Sequence, residues 1–229
     1  MTFFDELELE TAEARQALLS SPVITDCLAR RVGIETYQAF LVQAYHHVCH
    51  TVPLLMACGS RLPARLGWLQ RYIVDYINEE HGHEQWISND IDATGADAKT
   101  LLAAEPNLAT ELMVSYAYDT IQRGNPVGFF GMVLVLEGTS VALATHAAEI
   151  IRQELDLPQK AFSYLDSHGS LDQEHIGTYE EIVNRLDDAR DRAAVVHSAK
   201  AFFKLYADVF ASLPRAAATS KLTTQRAVA

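Results

Sequence analysis

Basic residues are scarce in this chain: 18 lysines and arginines stand against 30 aspartates and glutamates, for a formal net charge of −12. A surface of that sign repels polyphosphates and anionic headgroups, so neither nucleic acid nor a membrane is expected as a partner. Cysteine is scarcer still. Cys27, Cys49 and Cys58 are odd in number and too few for a disulfide framework. The opening residues, Met1 to Glu6, lack the basic segment of a secretory signal, and the cytoplasm is the expected location. Strand-like alternation, internal repeats and dividing linkers are also missing. One all-α domain over residues 1–213 is expected, with a disordered tail at 214–229.

Apolar residues recur at spacings of three and four along most of the chain, the period of helices with one buried face. A first helix is expected from Thr2 to about Leu19, and a short one from Val23 to Arg31. Longer ones follow from Gly33 to Ser60, kinked or divided at Pro53, and from Pro63 to Ile91. After a connector comes a helix from Leu108 to Arg123, and Gly124-Asn125-Pro126 reads as a stop, a cap and a helix-opening proline. The next helix runs to about Leu155, and the last two cover Leu171 to Leu186 and Asp188 to Leu213. Residues 127–148 form a stretch nearly long enough to span a bilayer. Glu137 at its centre, with Thr139, Ser140 and His146 nearby, fits the core helix of a soluble bundle better.

Three groups of residues carry chemistry. Glu137 lies in an apolar helix with no basic residue within two turns, and a buried carboxylate costs several kcal/mol unless it is protonated, paired or bound to metal. A bond to a tyrosine or histidine from another element would also account for it. His168, Asp172 and His175 stand at i, i+4 and i+7, one face of a helix, and imidazole and carboxylate donors suit a transition metal. Asp172 is equally suited to favouring a helix dipole. Glu80 and His83 are neighbours at i, i+3, and Glu79 and His83 at i, i+4, so one of the two glutamates is expected to face inward. Together these give the donor count of a two-metal carboxylate centre in a helical bundle. His46, His47 and His50 form a further cluster without a nearby carboxylate. His47 and His50 are read as lining the pocket or supporting the ligands, and Tyr179, one turn beyond His175, as a similar support. Trp86, Phe129 and Phe130 read as core.

These motifs resemble the haem-oxygenase-like di-iron oxidases, relatives of the TenA and PqqC proteins. The matching pattern is glutamate and histidine on one helix (Glu80, His83), glutamate on a second (Glu137 in Leu-Glu-Gly-Thr-Ser), and His-x3-Asp-x2-His on a third (His168, Asp172, His175). The resemblance covers about residues 20 to 210. It implies a haem-oxygenase-like bundle of about seven to nine helices. It also implies two Fe(II) ions per chain held by those six residues, Glu137 bridging, with O2 oxidising a small organic substrate in a homodimer. The substrate would be an acyl chain or an amino-acid-like molecule. Some members place the first histidine seven residues after the glutamate. Here that position is Ile87, so the shorter Glu-x2-His form applies.

Other readings remain. A TenA-type thiamin-salvage hydrolase needs a nucleophilic cysteine deep in the pocket, and no cysteine follows residue 60. A PqqC-type cofactorless oxidase would work through histidines and tyrosines alone. A haem oxygenase would use one proximal histidine, His47 or His50, and leave the carboxylates unexplained. A non-catalytic protein of the same fold is the last. The metal reading requires the Glu137 carboxyl to lie near His175 and away from bulk water.

Overall fold

Local capping chemistry sets most helix ends. In a computed structural model describing residues 1–215, with the side chains at 170–174 outside that description, eleven α-helices follow one another. The first, α1 (Phe3–Leu19), opens with a reciprocal cap in which the Thr2 hydroxyl accepts from the Asp5 amide and Asp5 accepts from the Thr2 amide. Next come α2 (Pro22–Leu28), α3 (Ile34–Val48) and α4 (Thr51–Arg61). Of the two outcomes expected at Pro53 for residues 33–60, a kink or a division, the structure has the division. Pro53 sits in the first turn of α4, where its missing N–H costs nothing, and the break falls just before it.

The helix expected from Pro63 to Ile91 is divided too. A 3₁₀ turn (Ala64–Leu66) leads into α5 (Gly67–Glu80), and α6 (Glu84–Ala93) starts afresh. Gly82 between them has φ of +95°, a left-handed conformation that ends a helix and suits glycine. Glu80 therefore closes α5 while His83 lies in the turn that leads into α6, so the two are not neighbouring positions of one helix. After the short α7 (Ala98–Leu101) comes α8 (Leu108–Arg123), then a 3₁₀ turn (Pro126–Phe129) capped by the Asn125 side chain on the Val127 amide.

The longest helix, α9 (Phe130–Leu155), runs through the middle of the bundle against α10 (Ser163–Asn184) and α11 (Ala189–Ala211). By length and composition the stretch Pro126–Leu155 passes as a membrane span, and 67% of its apolar window is buried inside the fold. Close approach of α9 to α11 depends on Gly131, where an added Cβ would lie 2.5 Å from the Ala199 amide nitrogen. The tenth helix begins eight residues before the expected Leu171. Its first amides, Ser163 and Tyr164, donate to the carboxylate of Asp90 on α6 at 2.9 and 2.8 Å. That carboxylate caps the helix from a distance, and Gly169-Ser170 does not interrupt it.

Two apolar clusters form the core. One joins α1, α4, α5, α8 and α11 to the first half of α9; the other joins α3 and α6 to its second half and the start of α10. A polar site and a cavity occupy the seam between them. The tail positions 216–229 lie outside the described residues.

Gly131→Ala should drive a methyl group into the α11 backbone and destabilise the fold by about 1–3 kcal/mol. Urea denaturation of the variant beside the parent checks this, with unchanged stability counting against the close approach.

Candidate metal centre

Glu80 ends α5 and His83 lies in the turn just before α6, so the sharp Gly82 turn aims both side chains at α10. There His168 completes a group in which one ligand atom from each residue lies within 4.8 Å of the other two. Glu80 and His83 are buried, with His83 Nδ1 3.3 Å from Glu80 Oε2. The His168 Nδ1 lies 3.0 Å from the Tyr164 carbonyl oxygen. A carbonyl can only accept, so Nδ1 carries the proton and Nε2 keeps its lone pair, the tautomer a metal requires. Trp86 stacks on the His83 ring at 3.9 Å and meets the His168 ring edge-on at 5.8 Å, holding both imidazoles in place.

A second group sits beside the first. Glu137, 4% exposed, accepts a short hydrogen bond from the Tyr76 hydroxyl and lies 3.7 Å from His175 Nδ1. The other ring nitrogen of His175 meets Glu79 Oε2 at 3.0 Å. His175 is thus flanked by two carboxylates. Burial first, and the charges of Glu137 and Glu80 next, push the Tyr76 pKa well above its ordinary value, so the phenol stays protonated and donates. A tyrosine and a histidine are also the partners an unmetallated buried glutamate takes.

The structure brings Glu80, His83 and His168 together, and Glu137 with His175. The side chain of Asp172 lies outside the described residues. Both glutamates at the end of α5 are engaged: Glu80 inward, Glu79 half-exposed yet reaching His175. His47 is buried and lines the same cavity as Glu80, Glu137 and His168. His50 is not brought to the site: its Nδ1 lies 3.1 Å from the Tyr118 hydroxyl, outside the cavity lining. Nor is Tyr179, whose hydroxyl donates to the Phe130 carbonyl at 2.9 Å and whose ring is wholly buried in the core. Tyr76 and Asp90 escaped the sequence reading. Tyr72, Tyr76 and Glu80 recur every four residues, a signal that would have placed Tyr76 on the ligand face. Nothing local marks Asp90 as the cap of a helix 73 residues on.

The donor set fits a metal. Two buried carboxylates converge with three imidazoles, and the cavity lining holds no lysine or arginine among the described residues. Positive charge to balance those carboxylates has to come from a bound cation or from protons.

The model of a family described as iron-containing redox enzymes matches residues 38–207. The chain belongs to that family. No curated protein sequence matches it. Among solved structures, it is similar to a Shewanella denitrificans domain of unknown function with a haem oxygenase-like fold, at 23% identity and a TM-score of 0.81, covering 91% of this chain and 90% of that one. A TenA homologue from Pyrococcus furiosus shares 15% identity with a TM-score of 0.72, over 91% and 98% of the two chains. Haem oxygenase-1 from Synechocystis, in complex with haem, shares 11% identity with a TM-score of 0.70, over 92% and 91%. At such identities the likeness establishes the haem-oxygenase-like fold alone, and it agrees with the all-α bundle expected from the residues.

Burial, and then the nearby His168, hold the pKa of His47 down to about 3. The unfolded chain takes up a proton there near pH 6.5 that the folded chain refuses until about pH 3. Stability should therefore fall with pH across that window, this residue contributing up to about 1.4 kcal/mol per pH unit. Chemical denaturation of His47→Phe between pH 7 and 4 should show a slope shallower by up to about one proton; an unchanged slope counts against the burial.

Proposed function

We propose that this protein is a non-haem di-iron oxidase that uses O2 to oxidise a small organic substrate. Glu80, His83, Glu137, His168, Asp172 and His175 would hold the two Fe(II) ions. The observation that carries this reading is the convergence of Glu80, His83 and His168 within 4.8 Å, beside the buried Glu137 and His175. Iron, when bound, supplies the one-electron chemistry through which O2 and an organic molecule react.

The chain's own groups prepare the site. Tyr164 fixes the His168 tautomer, Trp86 fixes the ring planes, and the Tyr76 hydroxyl donates to the Glu137 carboxylate. Asp90 ties α10, which carries His168 and His175, to α6, which His83 precedes. Apolar side chains line the rest of the cavity and keep water from the reacting groups.

The geometry weighs against a cysteine-nucleophile hydrolase. Cys27 borders the cavity, but burial raises its thiol to about 11, and Cys58, raised to about 12, donates to the Pro126 carbonyl. Neither is a ready thiolate at neutral pH.

Anaerobic addition of Fe(II) to the purified chain, followed by metal analysis and an optical spectrum after O2 exposure, tests the reading. About two irons per chain are expected, with a transient visible band. His168→Ala and Glu137→Gln should each weaken Fe(II) binding by at least about 100-fold. A chain that binds no iron, or binds it equally well without His168, is not a di-iron oxidase.

A further inference from the structure

The last turn of α5 carries three polar side chains on one face, Tyr76, Glu79 and Glu80, at i, i+3 and i+4. Tyr76 is bonded to Glu137, and Glu80 meets His83. Glu79 has no part in the six-residue ligand set, yet it is engaged. Its Oε2 lies 3.0 Å from His175 Nε2, although its side chain is 56% exposed and that of His175 only 10%. Glu80, His83, Glu137 and His175 are all buried, and Glu79 stands at the rim beside them.

An ionised carboxylate can only accept a hydrogen bond, so at 3.0 Å His175 Nε2 is a nitrogen that donates. The opposite ring nitrogen, Nδ1, faces the buried carboxylate of Glu137 with 3.7 Å between the atoms. That separation is too long for a hydrogen bond. It is within the span of one ion holding each atom at about 2.1 Å, since two such ligands stand up to roughly 4 Å apart. The Tyr76 ring meets the imidazole edge-on at 5.4 Å and limits its rotation. His168, seven residues earlier on α10, is set the other way round. Its Nδ1 donates to the Tyr164 carbonyl at 3.0 Å, and its Nε2 keeps the lone pair.

We infer that Glu79 is the positioning residue of His175: its carboxylate holds the Nε2–H, so that His175 ligates through Nδ1 while His168 ligates through Nε2. A ligating imidazole whose other nitrogen is anchored to a carboxylate keeps one tautomer and one ring orientation, and is the more basic for it. The two histidines of α10 thus offer opposite nitrogens, one fixed by the helix's own backbone and the other by a side chain of α5. The inference rests on the metal reading proposed above and says which atom of His175 that site uses and what holds it.

The test loads the full chain, with isotope-labelled histidine nitrogens, with Zn(II) and reads the imidazole resonances, assigned by their loss in His168→Ala and His175→Ala. His175 is expected to carry its proton on Nε2 and the ion on Nδ1, and His168 the reverse. Glu79→Ala should weaken Zn(II) binding by about 10-fold or more and expose the Nε2 proton to exchange with water. Glu79→Gln, whose carbonyl still accepts that proton, should return the affinity to within about three-fold of the parent. The exposure of Glu79 makes both variants mild for the fold, and the same spectra show whether each is folded. Zn(II) on His175 Nε2 would overturn the inference, as would a Glu79→Ala chain that binds Zn(II) like the parent. So would a Glu79→Gln chain that binds as weakly as Glu79→Ala or takes up fewer ions, because Glu79 is then itself a ligand. Those three results leave the iron reading standing. A chain that takes up no Zn(II) overturns both, and one that shows the expected nitrogens with Zn(II) but binds no Fe(II) overturns the oxidase alone.

Discussion

Two carboxylates, Glu80 and Glu137, are buried at the seam of this bundle, and no lysine or arginine lines the cavity they share among the described residues. Withdrawing a carboxylate from water costs several kcal/mol, and the surrounding imidazoles and phenol return part of that without supplying a fixed positive charge. A fold that maintains such an imbalance needs a cation, or protons, to close it. Around them the Tyr164 carbonyl sets the tautomer of His168, Trp86 stacks on His83, and burial, with the neighbouring carboxylates, keeps Tyr76 protonated beside Glu137. Membership of the iron-containing redox enzyme family agrees with a divalent metal as the balancing charge.

The bundle provides that site through a division of its core. Neither apolar cluster fills the seam along α9, so space survives there for both polar ligands and a cavity. Three devices hold the seam open in register. The Gly82 turn redirects the chain between Glu80 and His83, Asp90 fixes the start of α10 from α6, and Gly131 lets α11 pack close to α9. The same seam gives one cavity both the candidate donors Glu80, Glu137 and His168 and a mostly apolar wall.

Much of this was legible in the residues. Period-three-and-four patterning named the helices, the Gly124-Asn125-Pro126 signal fell where the chain turns, and a lone glutamate in an apolar helix marked the centre. The errors share one cause. The Gly82 break and the early start of α10 turn on backbone conformations and long-range caps that helix periodicity does not encode, whereas the expected division near Pro53 is present. His50 falls in the turn before α4, off the helix that carries His47, and meets the Tyr118 hydroxyl, while the Tyr179 hydroxyl donates to the Phe130 carbonyl. Spacing says which way a side chain points from its helix, and not what stands opposite.

What the sequence by itself determined is the helical class and most of the candidate donor residues, because both follow from local periodicity and from the cost of placing charge among apolar neighbours. What the tertiary structure decided is the grouping: Glu80 from the end of α5 and His83 from the turn beyond it with His168 from α10, Glu79 reaching His175 from the rim, and the Tyr76 hydroxyl bonded to Glu137. Those pairings join residues up to 96 positions apart, such as Glu79 and His175. They arise from how the helices cross, and crossing geometry is a property of packed surfaces rather than of any one stretch of chain.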